Sequence, residues 1–171
     1  MPSDAELDVE RLLGGLTSRG VDYVVIGGIA AVLWGGARNT FDLDVCPATD
    51  PANLDALGKA LVELGARLRG IEENVPFVPD ARALAKLEIL TLTTDAGALD
   101  VLIGPGGAPA YERLRRDAER VDIGRVSVLV ASIDDLIAMK RAAGRPKDAL
   151  DIEELETIQH LTRRNARGPR G

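Results

Sequence analysis

Cysteine, histidine and aromatic residues are scarce in this sequence. Among 171 residues it has one cysteine, Cys46, one histidine, His160, and only 3% aromatic residues. A single cysteine excludes an internal disulfide, and one cysteine with one histidine cannot form a zinc site of the cysteine and histidine type. Because aromatic side chains are few, we expect Leu, Val, Ile and Ala to build the core.

Long apolar segments are also absent. The longest apolar stretch without a charged residue, residues 23–37, has 15 residues, of which four are glycines. A helix needs about 20 apolar residues to cross a bilayer. The first residues carry acids where a secretory signal has basic residues followed by an apolar segment. We therefore expect a cytoplasmic protein without a membrane segment.

The remaining composition is typical of one globular domain. Hydrophobic residues make up 46% and charged residues 28%, and this length is sufficient to bury a core. The net charge of −6 argues against a protein that coats nucleic acid through a uniformly basic surface. Basic residues are nevertheless concentrated at residues 140–147 and after residue 162. We expect a single domain over residues 1–162 and a basic, mobile tail over residues 163–171.

Hydrophobic periodicity and turn residues predict a mixed α/β domain. The first predicted helix begins at a Ser3 cap and ends before Gly20. The other predicted helices cover residues 29–34, 51–64, a short segment ending at Arg116, 133–143 and 147–161. The predicted strands cover residues 22–26, 38–46, 88–94, 98–103 and a pair around residues 122–124. Residues 66–85 are ambiguous, with a strand-like ARLRG followed by a proline-bounded segment.

The predicted strand over residues 38–46 alternates between polar and apolar side chains. Its polar face carries Arg38, Thr40, Asp42 and Asp44, and its apolar face carries Phe41, Leu43 and Val45. Asp42 and Asp44 thus share one face, with Cα atoms about 6.6 Å apart. Carboxylates that face a sheet interior cost several kcal/mol each unless they are solvated, paired or bound to a ligand. The alternation therefore predicts a cleft at this face.

A third acid, Asp100, follows the same pattern in a later strand. Leu99, Val101 and Ile103 form the apolar face of that strand, so Asp100 projects to the opposite side. Three acids on two strands could meet, and hard oxygen ligands of this number suit Mg²⁺, which often shares the phosphate oxygens of a nucleotide. The pattern predicts a two-metal site for phosphoryl transfer.

Gly27 and Gly28 lie at a predicted strand-to-helix turn. Glycine lets backbone N–H groups approach a polyphosphate closely, next to the positive end of a helix. A glycine pair or an Asp-x-Asp pattern alone usually has a structural explanation. Their order and spacing along one chain together favour nucleotide binding.

With these features, the sequence resembles a known family. The Gly27-Gly28 pair, a helix and the run Thr40-Phe-Asp42-Leu-Asp44 resemble the signature of the polymerase β-type minimal nucleotidyltransferases, and Asp100 matches their third acid. The run over residues 133–151 is similar to the end of the AbiEii/MenT-like nucleotidyltransferase toxins. The resemblance covers residues 20–155 and implies the polymerase β-like fold, a mixed sheet flanked by helices with a small helical C-terminal part.

The resemblance also implies an activity. Such enzymes move a nucleoside monophosphate from a nucleoside triphosphate to an acceptor while pyrophosphate leaves, and the toxins act on the 3′ end of tRNA. A cognate antitoxin protein is then an expected partner. In this reading Asp42 and Asp44 hold two Mg²⁺ ions, and Asp100 binds one ion and helps to deprotonate the incoming hydroxyl.

The resemblance also assigns most of the remaining site residues. Gly27 and Gly28 hold the triphosphate. Arg38 and Thr40 share the face of the two acids, so either could contact the triphosphate, and Thr40 matches a hydroxyl residue that relatives carry two positions before the first acid. Lys140 neutralises phosphate charge on the leaving group. The nucleotide site is completed by a C-terminal group consisting of Arg145, Asp148 and Asp151.

Two other functions remain open from the residues. The same catalysis could place AMP on a partner protein, as in minimal nucleotidyltransferases that serve as antitoxins. A non-catalytic nucleotide-binding module of the same fold is the third possibility. It is disfavoured because a binding remnant has no need for Asp42, Asp44, Asp100 and Lys140 together.

Overall fold

The computed structural model describes residues 5–37, 39–71, 77, 79–104 and 111–168. Within these ranges the chain forms a mixed sheet of seven strands, in the order β3-β4-β5-β2-β1-β7-β6. The strands are β1 Tyr23–Ile26, β2 Asp42–Pro47, β3 Arg67–Leu68, β4 Ile89–Thr94, β5 Gly97–Leu102, β6 Glu119–Ile123 and β7 Val126–Val130. The predicted α/β class is confirmed.

Helices flank the sheet and connect its strands. They are α1 Val9–Ser18, α2 Gly27–Leu33, α3 Pro51–Glu63, α4 Ala81–Leu84, α5 Tyr111–Asp117, α6 Ile133–Ala143 and α7 Asp148–Ala166. The side chain of Asp50 caps α3 and that of Ser132 caps α6, each by accepting a bond from a backbone N–H of the first turn. None of the helices in the described ranges combines the length and the apolar composition that a membrane-spanning helix requires.

The core lies on both sides of the sheet centre. All four residues of β1 are buried, so both faces of the sheet are covered there. In β2 and β5 only one face is fully buried, and it carries Leu43, Val45, Leu99 and Val101, each with 0% exposure. Burying such a side chain contributes about 1.5–3 kcal/mol. The opposite face of these two strands is partly exposed and carries Asp42, Asp44 and Asp100.

The first helix begins later than predicted. Its cap is Asp8, whose Oδ1 accepts the backbone N–H of Arg11 at 3.0 Å, and α1 starts at Val9. The backbone N–H of Asp8 donates to the carbonyl of Ala96 at 2.9 Å, which ties the preceding segment to the β4–β5 turn. Ser3, the predicted cap, lies outside the described residues.

The strand of the two acids is shorter than predicted. It begins at Asp42, whose partner in β5 is Ala98, and Phe41 before it is 82% exposed. The prediction that Phe41 shares an apolar face with Leu43 and Val45 is therefore wrong. The alternation of a strand holds only where the backbone is paired, and Phe41 precedes the first pair.

The last helix extends beyond its predicted end at residue 161. It continues to Ala166, and the hydroxyl of Thr162 donates to the carbonyl of Ile158 in its last turns. Arg163 also lies 3.8 Å from the carboxylate of Asp134 on α6. Residues 163–166 thus continue α7, and the mobility of the tail stays a prediction.

Candidate active site

Three carboxylates meet on the polar face of the sheet. Asp42 and Asp44 lie on β2, Asp100 lies on the neighbouring parallel strand β5, and Asp44 and Asp100 are register partners. One oxygen from each carboxylate lies within 4.8 Å of the others, and all three residues are partly exposed. The alternation in the sequence predicted this convergence. Carboxylate oxygens at this spacing form a donor set that fits Mg²⁺.

The cluster of acids is electrostatically unfavourable without a cation. Burial, and after it the charges of Asp42 and Asp100, raise the pKa of Asp44 to about 7. Burial also raises the pKa of Asp100, although the guanidinium of Arg69 opposes this effect. A divalent ion would offset the like charges of the three acids.

The glycine pair packs directly against this strand. Gly27 opens α2 with a φ of +69°, and a Cβ built on it would overlap with Oδ2 of Asp44. A Cβ on Gly28 would lie 2.8 Å from the hydroxyl oxygen of Thr40, and that hydroxyl donates to the carbonyl of Asp42. Glycine is therefore required for the start of α2 to approach the acids this closely.

On the other side of the site, ion pairs join α6 to α7. The ammonium of Lys140 lies 2.9 Å from Oδ2 of Asp151 and 3.5 Å from Oδ1 of Asp148. Arg145 binds both oxygens of Asp148, at 2.8 and 3.2 Å. Asp148 is only 1% exposed, and its hydrogen bond from Arg145 lowers its pKa despite burial. The left-handed Gly144 that ends α6 turns the chain so that these residues face each other.

One cavity of about 820 Å³ joins these groups. Its volume is in the usual range of ligand sites. The predicted site residues that line it are Gly27, Gly28, Thr40, Asp42, Asp44, Asp100, Lys140, Arg145, Asp148 and Asp151. Arg38, the remaining predicted residue, lies outside the described residues.

Sequence reasoning missed Arg69, Phe41 and Glu154. Arg69 forms an ion pair with Asp100 at 2.9 Å, and the exposed ring of Phe41 lines the cavity. Glu154 of α7 accepts the backbone N–H of Ala37 at 2.8 Å, in the segment that leads to β2. Alternation in ARLRG was a signal for Arg69, but it did not indicate which strand lies beside it.

Comparisons of the sequence and of the structure gave different results. No protein-family model matches the sequence, and no curated protein is similar to it at a significant level. Twelve chains of solved structures match the fold at a significant level.

Three of these structures show the extent of the similarity. The lincosamide antibiotic adenylyltransferase LnuA, bound to lincomycin, has a TM-score of 0.60 and 17% identity over 90% of this chain and 99% of its own. ANT(2″)-Ia in complex with adenylyl-2″-tobramycin has a TM-score of 0.53 and 15% identity over 92% of this chain and 96% of its own.

The third structure is an antigenic nucleotidyltransferase-like protein from Paracoccidioides brasiliensis. It has a TM-score of 0.54 and 19% identity over 92% of this chain and 79% of its own. Identities this low establish the fold alone. The chain therefore shares the fold of these nucleotidyltransferase structures, a mixed sheet flanked by helices as the sequence predicted.

Proposed function

We propose that this protein is a metal-dependent nucleotidyltransferase. It moves a nucleoside monophosphate from a nucleoside triphosphate to a hydroxyl of an acceptor. The observation that carries the proposal is the group of three carboxylates, with oxygens within 4.8 Å of one another, in a cavity that also contains the glycine pair and Lys140. Packing alone gives no reason to place Asp44 and Asp100 where burial, and after it the charges of the neighbouring acids, raises the pKa of both carboxyls.

The donor set determines the expected cofactor. Asp42, Asp44 and Asp100 would hold Mg²⁺, with two ions expected when the triphosphate is bound. Ions bound there would neutralise charge on the triphosphate and stabilise the charge that develops during transfer. After burial, the charges of Asp42 and Asp100 contribute to raising the pKa of Asp44 to about 7, and a bound cation would offset that repulsion.

The chain's own residues account for substrate placement and proton movement. Gly27, Gly28 and Thr40 would contact the triphosphate at the start of α2, and Arg38 remains a further contact proposed from the sequence. The acceptor oxygen forms a bond to the α-phosphorus, and the bond from that phosphorus to the bridging oxygen of pyrophosphate breaks. Asp100 accepts the hydroxyl proton, and Lys140 offsets the charge of the departing pyrophosphate.

The C-terminal group sets the position of that lysine. Lys140 contacts Asp148 and Asp151, and Arg145 contacts Asp148, so the ammonium is held at the cavity wall by two carboxylates. Its side chain is 15% exposed. A lysine fixed in this way can meet a phosphate without losing further side-chain entropy.

For the acceptor, we propose the 3′ end of tRNA and a role as the toxin of a toxin–antitoxin pair. The support is the similarity of residues 133–151 to AbiEii/MenT-like toxins, together with Arg163, Arg164 and Arg167 near the end of α7. A cognate antitoxin protein is the corresponding partner. A second acceptor class is a small hydroxylated antibiotic, favoured by the overlap with an adenylyltransferase bound to lincomycin.

One assay distinguishes these acceptors. Purified protein is incubated with Mg²⁺, each of the four α-³²P-labelled nucleoside triphosphates, and total tRNA, cell-lysate protein, lincomycin or tobramycin. Label on tRNA supports the toxin assignment, label on a protein supports the AMP-transferring alternative, and label on an antibiotic supports the second class. The γ-labelled triphosphates should leave every acceptor unlabelled, because the γ-phosphate leaves with pyrophosphate.

Two variants serve as controls for this assay. Asp42→Ala should abolish labelling, whereas Asp122→Ala, an exposed aspartate on β6 outside the cavity, should leave it unchanged. Absence of labelling by the wild type, or undiminished labelling by Asp42→Ala, would contradict the proposed function. Growth arrest on induced expression, relieved by Asp42→Ala, tests the toxin role separately.

A further inference from the structure

Arg69 crosses one strand of the sheet to reach the acidic cluster. It directly follows β3, and its backbone N–H donates to the carbonyl of Thr91 on β4 at 3.0 Å. Thr91 is the register partner of Asp100 on β5, and Asp100 is the partner of Asp44 on β2. Arg69 and Asp100 are thus two strands apart, about 9.6 Å between Cα atoms, and only a long side chain spans that distance.

The guanidinium is anchored at two points. Nη2 of Arg69 donates to the backbone carbonyl of Leu92 at 2.7 Å and to Oδ1 of Asp100 at 2.9 Å. The two N–H bonds of one nitrogen therefore join a rigid strand to the carboxylate. Because Leu92 belongs to the paired part of β4, the position of the guanidinium is fixed by the sheet.

This contact gives the two carboxylate oxygens of Asp100 different roles. Oδ1 accepts the bond from Arg69, and the carboxylate also interacts with the side chain of Asp42. The oxygen that Arg69 does not hold is left for an ion or an acceptor hydroxyl on the side of Asp42. A charge-assisted bond of this kind restricts rotation of the carboxylate. The side chain of Asp100 is 17% exposed and that of Arg69 is 37% exposed, so the carboxylate is the end of this pair that is more shielded from water.

We propose that Arg69 is a positioning residue of the transfer reaction, which holds Asp100 by one oxygen so that the other faces the metal-binding acids. The inference rests on the proposed function and deepens it. Among the three acids, the ion pair of Arg69 in the described residues is with Asp100, and its charge also acts on Asp44 from a greater distance.

If Arg69 positions Asp100, removing its guanidinium should affect metal binding and turnover differently. If Arg69 contributes only to folding, both should fall together. Removal of the guanidinium also removes a positive charge that competes with a cation for Asp100, so divalent ions should bind at least as tightly. Turnover should nevertheless fall, because the carboxylate is no longer oriented. Loss of a partner that orients a ligand typically costs about 10- to 100-fold in activity.

The test compares the full-length wild type with Arg69→Met, Arg69→Lys and Arg67→Met. Arg67 is the matched control, because it lies on β3 and pairs with Asp95 at 3.6 Å, away from the three acids. The measurements are kcat and KM for the triphosphate, and the midpoint of a Mn²⁺ titration followed by thermal unfolding. Asp100→Asn and the double variant Arg69→Met/Asp100→Asn complete a cycle for the Mn²⁺ midpoint.

We expect Arg69→Met to lower kcat about tenfold or more while KM for the triphosphate and the Mn²⁺ midpoint do not rise. Arg69→Lys should lose less of kcat than Arg69→Met. If Arg69→Met fails to fold, Arg69→Lys should still show a lower kcat with no rise in KM for the triphosphate or in the Mn²⁺ midpoint. Arg67→Met should behave as the wild type. With Asp100→Asn present, Arg69→Met should change the Mn²⁺ midpoint less than it does in the wild type, because only the charge effect on Asp44 remains.

The contrary outcomes are distinct. Unchanged kcat in Arg69→Met, or a parallel loss of turnover, Mn²⁺ binding and thermal stability, would overturn the role of Arg69 while the proposed function stands. A wild type that transfers no nucleotide to any acceptor would remove the proposed function, and the inference about Arg69 with it.

Discussion

At the scale of one residue, the ionised carboxylate of Asp44 lowers the free energy of unfolding of the metal-free protein. Its carboxylate is largely buried between two other acids, and its pKa is raised from 3.8 to about 7. The folded protein therefore holds a proton that the unfolded chain releases at lower pH. Folding stability due to this group falls as pH rises from about 4 to about 7 and is constant above that range.

We expect Asp44→Asn to stabilise the metal-free protein. The gain should be small near pH 4 and grow with pH, and it should exceed about 1 kcal/mol at about pH 8, because the neutral amide removes both the burial cost and the repulsion. Urea unfolding in EDTA at about pH 5 and about pH 8 measures the difference. Asp122→Asn on β6 is the control and should show no such gain.

A decrease in stability for Asp44→Asn at about pH 8, or a gain that is independent of pH, would contradict this electrostatic explanation. Excess Mg²⁺ should reverse the order of stability, since the wild type then gains binding energy that the variant has lost.

At the scale of elements, the N-terminal turn of α7 is attached to α6 by charge. Asp148 opens α7, is buried, and binds Lys140 of α6 and Arg145 of the connecting turn. The bonds from Arg145 hold the pKa of Asp148 below its usual value. Stability from this group is therefore fully present above the pKa of the unfolded chain, and it is lost as pH falls through the lower pKa of the folded state.

We expect Asp148→Asn to destabilise the protein by about 1–3 kcal/mol at neutral pH, because it leaves Lys140 and Arg145 without this charged partner. The difference from the wild type should shrink as pH falls below about 4, the pKa of an aspartate in the unfolded chain, towards the lower pKa of Asp148 in the folded protein. Denaturant unfolding over this pH range measures it. Glu153→Gln, at an exposed position of the same helix, should have little effect.

The sequence predicted where the strands of the acids lie along the chain, but it did not predict which strands are neighbours in the sheet. Alternation around Asp44 and Asp100 predicted both strands and the face that the acids share, because that pattern is local. The contact of Arg69 with Asp100 depends on the order β3-β4-β5, which brings together residues 31 positions apart. Local periodicity carries no information on strand order, so this residue could not be assigned.

For Phe41, the alternation gave a wrong prediction. Its place in the alternation predicted burial, but pairing begins only at Asp42, and the ring is exposed at the cavity. The point at which a strand begins depends on its partner strand and not on the alternation alone. The prediction therefore failed at the residue that directly precedes the first residue of β2.

At the scale of the whole molecule, the apolar face of β2 and β5 packs into the core and the acidic face lines the cavity. The fully buried Leu43 and Val45 alternate with Asp42 and Asp44 on one short strand, so the strand that builds the core also supplies the acids. An ion bound by those acids is thereby linked to the sheet. Metal binding should be observable as stability of the entire domain.

We expect Mg²⁺ or Mn²⁺ to raise the melting temperature of the wild type. At a concentration about 100 times the dissociation constant, a ligand specific for the folded state adds about 2.7 kcal/mol. For a domain of this length that corresponds to a shift of about 5–10 °C. Thermal unfolding with added metal, and again after EDTA, measures the shift.

Two controls identify the source of this shift. NaCl at matched ionic strength excludes charge screening as the cause, and Asp42→Asn should abolish the shift, because one of the three ligands is lost. An equal shift in Asp42→Asn would place the bound ion elsewhere on the protein and separate the acidic cluster from metal binding.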